Sequence, residues 1–240
     1  MASRAGIFLL LMLLAKPLAR EAPTHWVVWN VGQGLWTTLV NGEGCWHFDM
    51  GGERAPWMPV MKLCREQRNF LHLSHWDSDH INFSGRASYF LPNLCRVNWP
   101  AGAPSDRKVK MVKRIAECLP MKSSLVEWTP ASFGSSNDSS SVIRVDGIVV
   151  PGDSSKAAEK QWAFSLPGIS RTKVLLLGHH GSRTSTSSLL LSRMPRLQMA
   201  IASARRRRYG HPHEEVQLLL RAFKVPLLNT EDWGHIHIWL

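Results

Sequence analysis

Directly after an apolar run from Phe70 to Ser74 the chain reads His75-Trp76-Asp77-Ser78-Asp79-His80. Four side chains able to ligate a metal thus fall within six residues at the end of a core strand. In extended backbone, residues i and i+2 point the same way. His75, Asp77 and Asp79 therefore converge, and His80 turns in from the next position. Imidazole together with carboxylate suits zinc, manganese or iron. So many ionisable groups beside an apolar strand are costly to bury without a cation. The fold must then be one in which a buried strand opens at its carboxyl end onto a polar, ligand-bearing loop.

The rest of the chain supplies further strands of this kind. Trp26 to Val31 and Leu35 to Val40 read as strands joined by the turn Gly32-Gln33-Gly34, and Cys45 to Asp49 as a third. Val142 to Val145 and Ile148 to Val150 form a hairpin about Asp146-Gly147, followed by Pro151-Gly152-Asp153. Lys173 to Leu177 is an apolar strand leading into Gly178-His179-His180-Gly181-Ser182. Gln198 to Ala202, Val225 to Leu228 and His235 to Trp239 complete the set. Helical spacing marks Pro56 to Gln67, Asp106 to Leu119, Ser155 to Trp162, Thr186 to Met194 and His213 to Phe223. Strands early and late with helices between them give an α/β layered domain, sheets covered by helices.

The first 22 residues stand apart. Arg4, the apolar run Ile7 to Ala15 and the small residues Ala19 and Ala22 have the order of a secretory signal peptide cleaved near Ala19. Residues 23–240 then form one exported domain, periplasmic or secreted, with no stable membrane insertion after cleavage; the run is too short for a comfortable span. The formal charge is +11, and removing Arg4 and Lys16 with the signal lowers it to +9. Such an excess favours a polyanionic partner: nucleic acid, anionic lipid or cell-wall polymer. Cys45, Cys64, Cys95 and Cys118 include no CxxC pair, which speaks against a structural zinc knuckle. Two disulfides and four buried thiols are both open.

Read in order, the motifs resemble a family. His75-x-Asp77-x-Asp79-His80 is similar to the HxHxDH signature of metallo-β-lactamase-fold hydrolases, with Asp at the second His position. That variant is typical of the C-terminal domain of ComEC-like competence DNA-internalisation proteins. Asn30-Val31-Gly32-Gln33-Gly34 resembles their "DVGQGD", Asp49-Met50-Gly51-Gly52 their "DTGG", and Val150-Pro151-Gly152-Asp153 their "LTGD". His179-His180-Gly181-Ser182 resembles "HHGS", Tyr209-Gly210-His211-Pro212 resembles "YGHP", and Thr230 to Ile236 the terminal "TDxDGAI". The departures are Asn30 for Asp and Leu35 for an acidic residue.

The resemblance implies an αββα sandwich with the site at one edge of two packed sheets, holding one or two divalent metal ions, zinc or manganese. It implies that Asp153 bridges two ions, one taking His75 and Asp77, the other Asp79 and His80. The pair His179-His180 supplies a further ligand, with His179 preferred, and Asp49 orients the His-Asp loop. The position for a third ligand to the first metal falls near Asn137 and Asp138, where there is no His. Asp79 and His211 are the candidate catalytic residues, His211 contacting a scissile phosphate or protonating the leaving oxygen.

Arg205, Arg206, Arg207, Arg208 and Tyr209 precede His211 and form a candidate phosphate- and DNA-binding segment, since Arg binds phosphate bidentately and Tyr stacks on a base. Trp76 is placed to flank a substrate, while Trp26, Trp29 and Trp239 read as core. The chain is thus expected to be a metal-dependent hydrolase, a phosphodiesterase or nuclease acting on DNA, single-stranded DNA above all, in uptake or scavenging. A phosphodiesterase of small-molecule, lipid or cell-wall substrates, and a non-catalytic DNA-binding module, are the two alternatives.

Overall fold

The strands alternate between two cores, and that alternation sets the architecture. The computed structural model describes residues 24–120, 125–131 and 134–239, so the signal segment 1–22 lies outside the described residues. In β1 (His25–Val28), Trp26 and Val28 face one apolar cluster and Val27 another. Two-residue periodicity in a strand buried on both faces produces this division.

The strands form two sheets. The first runs β13-β1-β2-β3-β4-β5-β6, built from β1, β2 (Thr37–Asn41), β3 (Gly44–Phe48), β4 (Asn69–His72), β5 (Leu94–Arg96), β6 (Ala116–Glu117) and β13 (Ile236–Trp239). The second runs β12-β11-β10-β9-β8-β7, from β7 (Val126–Trp128), β8 (Val142–Val145), β9 (Ile148–Val150), β10 (Val174–Leu176), β11 (Met199–Ala202) and β12 (Leu227–Asn229). Strands β3 to β6 are mutually parallel, as are β9 to β12; the remaining pairings are antiparallel.

Three apolar clusters separate four layers. Trp26, Trp46, Phe48 and Phe70 of the first sheet meet Ile143, Ile148, Val174 and Ile201 of the second between the sheets. The outer face of the first sheet is covered by α1 (Trp57–Cys64), α2 (Ser78–Ile81), α3 (Ser84–Phe90) and α4 (Asp106–Val112), through Val60, Ile81, Ala87 and Val112. The outer face of the second carries α5 (Lys156–Ser165), α6 (Ser188–Ser192) and α8 (Glu214–Ala222), through Trp162, Leu190 and Val216; α7 (Arg206–Tyr209) and α9 (Thr230–Trp233) are short turns outside that cluster. The order helix, sheet, sheet, helix is the expected αββα sandwich.

Several elements differ from the sequence reading. The basic helix expected from Asp106 to Leu119 stops at Val112, because Ile115 must reach the core and Ala116–Glu117 pair with β5. The four cysteines form the disulfides Cys45–Cys64, which ties β3 to α1, and Cys95–Cys118, which ties β5 to the segment after β6. Trp239, expected in the core, is exposed and stacks on His25 with ring centroids 3.8 Å apart. Trp76, expected beside a substrate, is largely buried, donates from its indole nitrogen to the carbonyl of Pro100 at 3.0 Å, and lines a cavity beside Asp77. Among the described residues, no helix is long and apolar enough to cross a membrane.

Candidate metal centre

The carboxyl ends of the parallel strands in both sheets open at one edge of the sandwich. Asp49 follows β3, His75 to His80 follow β4, Asp153 follows β9, and His179 and His180 follow β10. Such edges collect functional side chains because each strand delivers its following loop to the same rim. Two groups of ligand atoms converge there, each within 4.8 Å: His75, His80 and Asp153, and Asp79, His80 and His180. His75, His80, Asp153 and His180 are buried, and Asp79 is half-buried.

The hydrogen bonds behind these residues decide which nitrogen each ring presents. Both oxygens of Asp49 are taken: Oδ1 accepts from the backbone N–H of Ser74 and Oδ2 from its hydroxyl, both at 2.7 Å. With its one hydrogen spent on Asp49, the Ser74 oxygen accepts from His75 Nδ1 at 2.9 Å. His80 Nδ1 lies 2.7 Å from Asp49 Oδ2 and donates to it. His180 Nδ1 donates to the carbonyl of Ser203 at 3.0 Å. All three imidazoles thus spend Nδ1–H outward and turn Nε2 inward, the arrangement that fixes a metal-ligating tautomer.

Two of the inward atoms find no partner among the others. His75 Nε2 is buried with no hydrogen-bond partner. Asp153 Oδ1 lies 2.9 Å from His80 Nε2 and 3.6 Å from His180 Nε2, yet makes no properly aligned hydrogen bond. Lone pairs aimed at a common point rather than at each other have this geometry. Buried polar groups left without partners call for an explanation, and a divalent ion among nitrogen and oxygen donors supplies one.

Electrostatics point the same way. Burial pushes the Asp153 carboxyl up, but His80, His180 and His75 outweigh it and hold it well below the usual range. Burial pushes His80 down, while Asp153 and Asp49 together raise it well above its ordinary value. The nearby His75 ring is the main cause that lowers Asp77 to about 2 against the effect of burial, helped by the Ser136 hydroxyl and Lys108. This edge holds its carboxylates ionised and demands positive charge.

The remaining site residues are placed as follows. Asp77 Oδ2 is 3.6 Å from His75 Nε2, and Asp77 Oδ1 accepts from the Ser136 hydroxyl at 2.6 Å. The ring converging with Asp79 and His80 is His180, whose Nε2 is 3.2 Å from Asp79 Oδ2 and 3.3 Å from His80 Nε2. His179, preferred on sequence, is more exposed; its Nε2 stands 3.7 Å from Asp153 Oδ2 and its Nδ1 meets Thr184 and Asn137. Both rings sit at positive φ, 49° and 56°, so the tight turn and not their order in the chain decides which ring points in. Asp153 does not cap α5; Ser155 does, accepting from Ala157 and Ala158. Gly152, at φ 56°, lies so near Ser74 that a Cβ there would come within 2.8 Å of that side chain. Asp138 bonds Ser155 and Ser135, away from the converging nitrogens.

The arginine run is engaged within the protein. Arg205 and Arg208 pair with Glu53 at 2.9 and 2.8 Å, Arg206 pairs with Asp232 at 2.8 Å, and the Tyr209 hydroxyl approaches Glu53 at 3.4 Å. Arg207 is exposed and makes no ion pair among the described residues. His211 stands beside His179 with ring centroids 6.1 Å apart. Sequence reasoning missed Ser74, Ser136, Ser203 and Gln33, since a serine or glutamine in a loop carries no signal until the fold brings it to a site.

In fold comparison the chain superposes on the metallo-β-lactamase fold protein YhfI of Bacillus subtilis with a TM-score of 0.55, at 13% identity, over 90% of this chain and 100% of that one. The chain has the metallo-β-lactamase fold. Within it, the two ligand groups lie where the strand ends of both sheets meet. No protein-family model matches the chain. Its sequence is 31% identical over 252 aligned positions to Recombination protein 2 of Haemophilus influenzae, covering 97% of this chain and 31% of that protein. It is 28% identical over 193 positions to ComE operon protein 3 of B. subtilis, covering 71% of this chain and 24% of that protein. The chain therefore spans about a quarter to a third of the length of the curated relatives it matches, and it resembles competence proteins over most of its own metallo-β-lactamase fold.

Proposed function

We propose that this chain is a metal-dependent phosphodiesterase that cuts nucleic acid, single-stranded DNA above all, outside the cytoplasm. The observation that carries the reading is the convergence of the Nε2 atoms of His75, His80 and His180 on Asp153 and Asp79, with every Nδ1 already spent. His75, Asp77, His80 and Asp153 would hold one divalent ion, zinc or manganese, and Asp79, His80, His180 and Asp153 the region of a second. Bound there, such ions acidify a coordinated water and offset charge on phosphoryl oxygens. Asp49, Ser74 and the Ser203 carbonyl hold the rings in register. Asp79 and His211, both partly exposed, would face an arriving substrate.

Three further features support the substrate and the compartment. A cavity of about 480 Å³ beside Asp77, lined by Lys108, Ser135 and Ser136, has the size of small-molecule sites and a cation at its wall. One matched relative, of Neisseria gonorrhoeae, is named Competence protein ComA and another is named a recombination protein, which fits a DNA substrate. All four cysteines are paired, which suits an oxidising compartment and hence export.

The test is a nuclease assay on the purified mature protein. End-labelled single- and double-stranded DNA is offered with manganese, zinc, magnesium or chelator, beside the Asp79→Ala variant. Cutting that needs metal and is lost in the variant is expected. DNA retention without cutting under any metal would replace the enzyme with a binding module. Neither cutting nor retention would move the substrate to small, lipid or cell-wall phosphodiesters.

A further inference from the structure

Gln33 sits in the turn between β1 and β2 and is buried, with only 8% of its surface exposed. The turn itself is pinned: Gln33 N–H reaches Glu53 Oε2 at 3.2 Å, and Leu35 N–H donates to the carbonyl of Asp79 at 3.0 Å. The Gln33 side chain crosses to the segment after β11. Its Oε1 lies 3.1 Å from the backbone nitrogen of Arg205, and its Nε2 lies 3.1 Å from His211 Nδ1.

These two contacts leave one arrangement of hydrogens. A backbone N–H only donates, so the oxygen of the amide must face Arg205. The amide nitrogen, which only donates, must then face His211. His211 Nδ1 is therefore an acceptor, and the ring's single hydrogen lies on Nε2. The three rings of the metal centre are turned the other way, with Nδ1–H donating outward and Nε2 facing the ligand cluster.

We infer that Gln33 is a positioning residue that fixes His211 as a neutral Nε2–H donor, which excludes His211 from the metal ligands and aims an N–H at an oxygen of the bound substrate. The position of His211 suits that role. Its ring stands 6.1 Å from that of His179, and its segment is fastened to the same turn by His213 N–H donating to the carbonyl of Gly181 at 2.8 Å. The ion pairs of Glu53 with Arg205 and Arg208 hold the far side of the segment, so the arginine run helps place the ring. An oriented N–H costs no reorganisation when charge grows on the oxygen it meets.

The use of that hydrogen on substrate rests on the phosphodiesterase reading; the tautomer does not. The experiment therefore reads the tautomer directly. Protein labelled with ¹⁵N-histidine is examined by long-range ¹H–¹⁵N correlation near pH 7.5, metal-free and zinc-loaded, with the His211 signals assigned from their loss in His211→Gln. The expected result is a bare Nδ1 and a protonated Nε2 in both states. Gln33→Glu, which keeps the size but replaces the donor with an acceptor, should move a hydrogen onto Nδ1. It should also lower kcat by about 100-fold on a metal-supported phosphodiester substrate with little change in KM. A proton on Nδ1 in the wild type, loss of the Nε2 hydrogen on zinc loading, or an unchanged tautomer in Gln33→Glu would each overturn the assignment. If the tautomers behave as expected but no phosphodiester is cut, the positioning stands and the functional reading fails.

Discussion

His80 and Asp49 form a buried pair in which Nδ1 meets Oδ2 at 2.7 Å while the opposite nitrogen, Nε2, stands 2.9 Å from Asp153 Oδ1. The ring is a rigid spacer between a carboxylate behind the centre and a carboxylate inside it. Asp49 also takes both hydrogens of Ser74, whose oxygen orients His75, so one carboxylate sets two rings. Asp49→Asn keeps the size and removes the charge. It is expected to leave the fold intact and to weaken zinc binding by about 10- to 100-fold. Isothermal titration would show this; unchanged affinity would detach Asp49 from the centre.

Adjacent histidines should behave differently. His180 is buried with Nε2 on Asp79 and His80, whereas His179 is more exposed and farther from Asp153. Replacing His180 with alanine is expected to remove bound metal, measured by plasma emission after dialysis. His179→Ala should retain most of it. Asp153→Asn should lose metal and activity together, because it removes the carboxylate shared by both groups. The reverse order for the two histidines would return the inward role to His179.

A histidine away from the centre should govern acid stability. His47 is buried; its Nδ1 accepts from Thr38 and Trp36, and its Nε2 donates to Asn69, whose own Nδ2 is held by two carbonyls. Burial, opposed by the Asn69 hydrogen bond, lowers its pKa to about 4. The unfolded chain takes up the proton first, near 6.5. This contribution is therefore present above that pH and is lost as pH falls towards 4, by about 3 kcal/mol in all. Urea unfolding of metal-free protein between pH 7.5 and 4.5 should show His47→Gln less stable at neutral pH but less sensitive to acid. Parallel curves would exclude His47 as the cause.

The loop carrying Asp49 packs directly on the ligand loop. A Cβ on Gly51 would come within 2.2 Å of the carbonyl of Asp79 and 2.3 Å of the nitrogen of His80. These are backbone atoms with no free end to swing aside, so Gly51→Ala must push the two loops apart. A loss of about 1–3 kcal/mol is expected from such overpacking, together with weaker metal binding, read by thermal unfolding with and without zinc. A variant with native stability and affinity would show that the loops move freely.

Much of this was legible in the chain itself. The two-residue and helical periodicities marked the main strands and helices, and His75 to His80 announced the centre because ligands close in sequence need only one local turn to converge. The structure withheld its support from those expectations that depended on distant partners. Nothing local distinguishes His179 from His180; the turn after β10 and the Ser203 carbonyl decide it. The arginines at 205–208 read as a phosphate-binding run, but Glu53 and Asp232 reach Arg205, Arg206 and Arg208 across 26 to 155 positions of chain. Periodicity and adjacent motifs were determined by the sequence alone, since propensity and i, i+2 geometry act within a few residues. The cysteine pairing and the direction of each imidazole hydrogen at the metal centre were decided when neighbouring strands and their loops came together within a sheet, and the place of Gln33 when the two sheets packed face to face, because each such bond is specified by a partner distant in sequence.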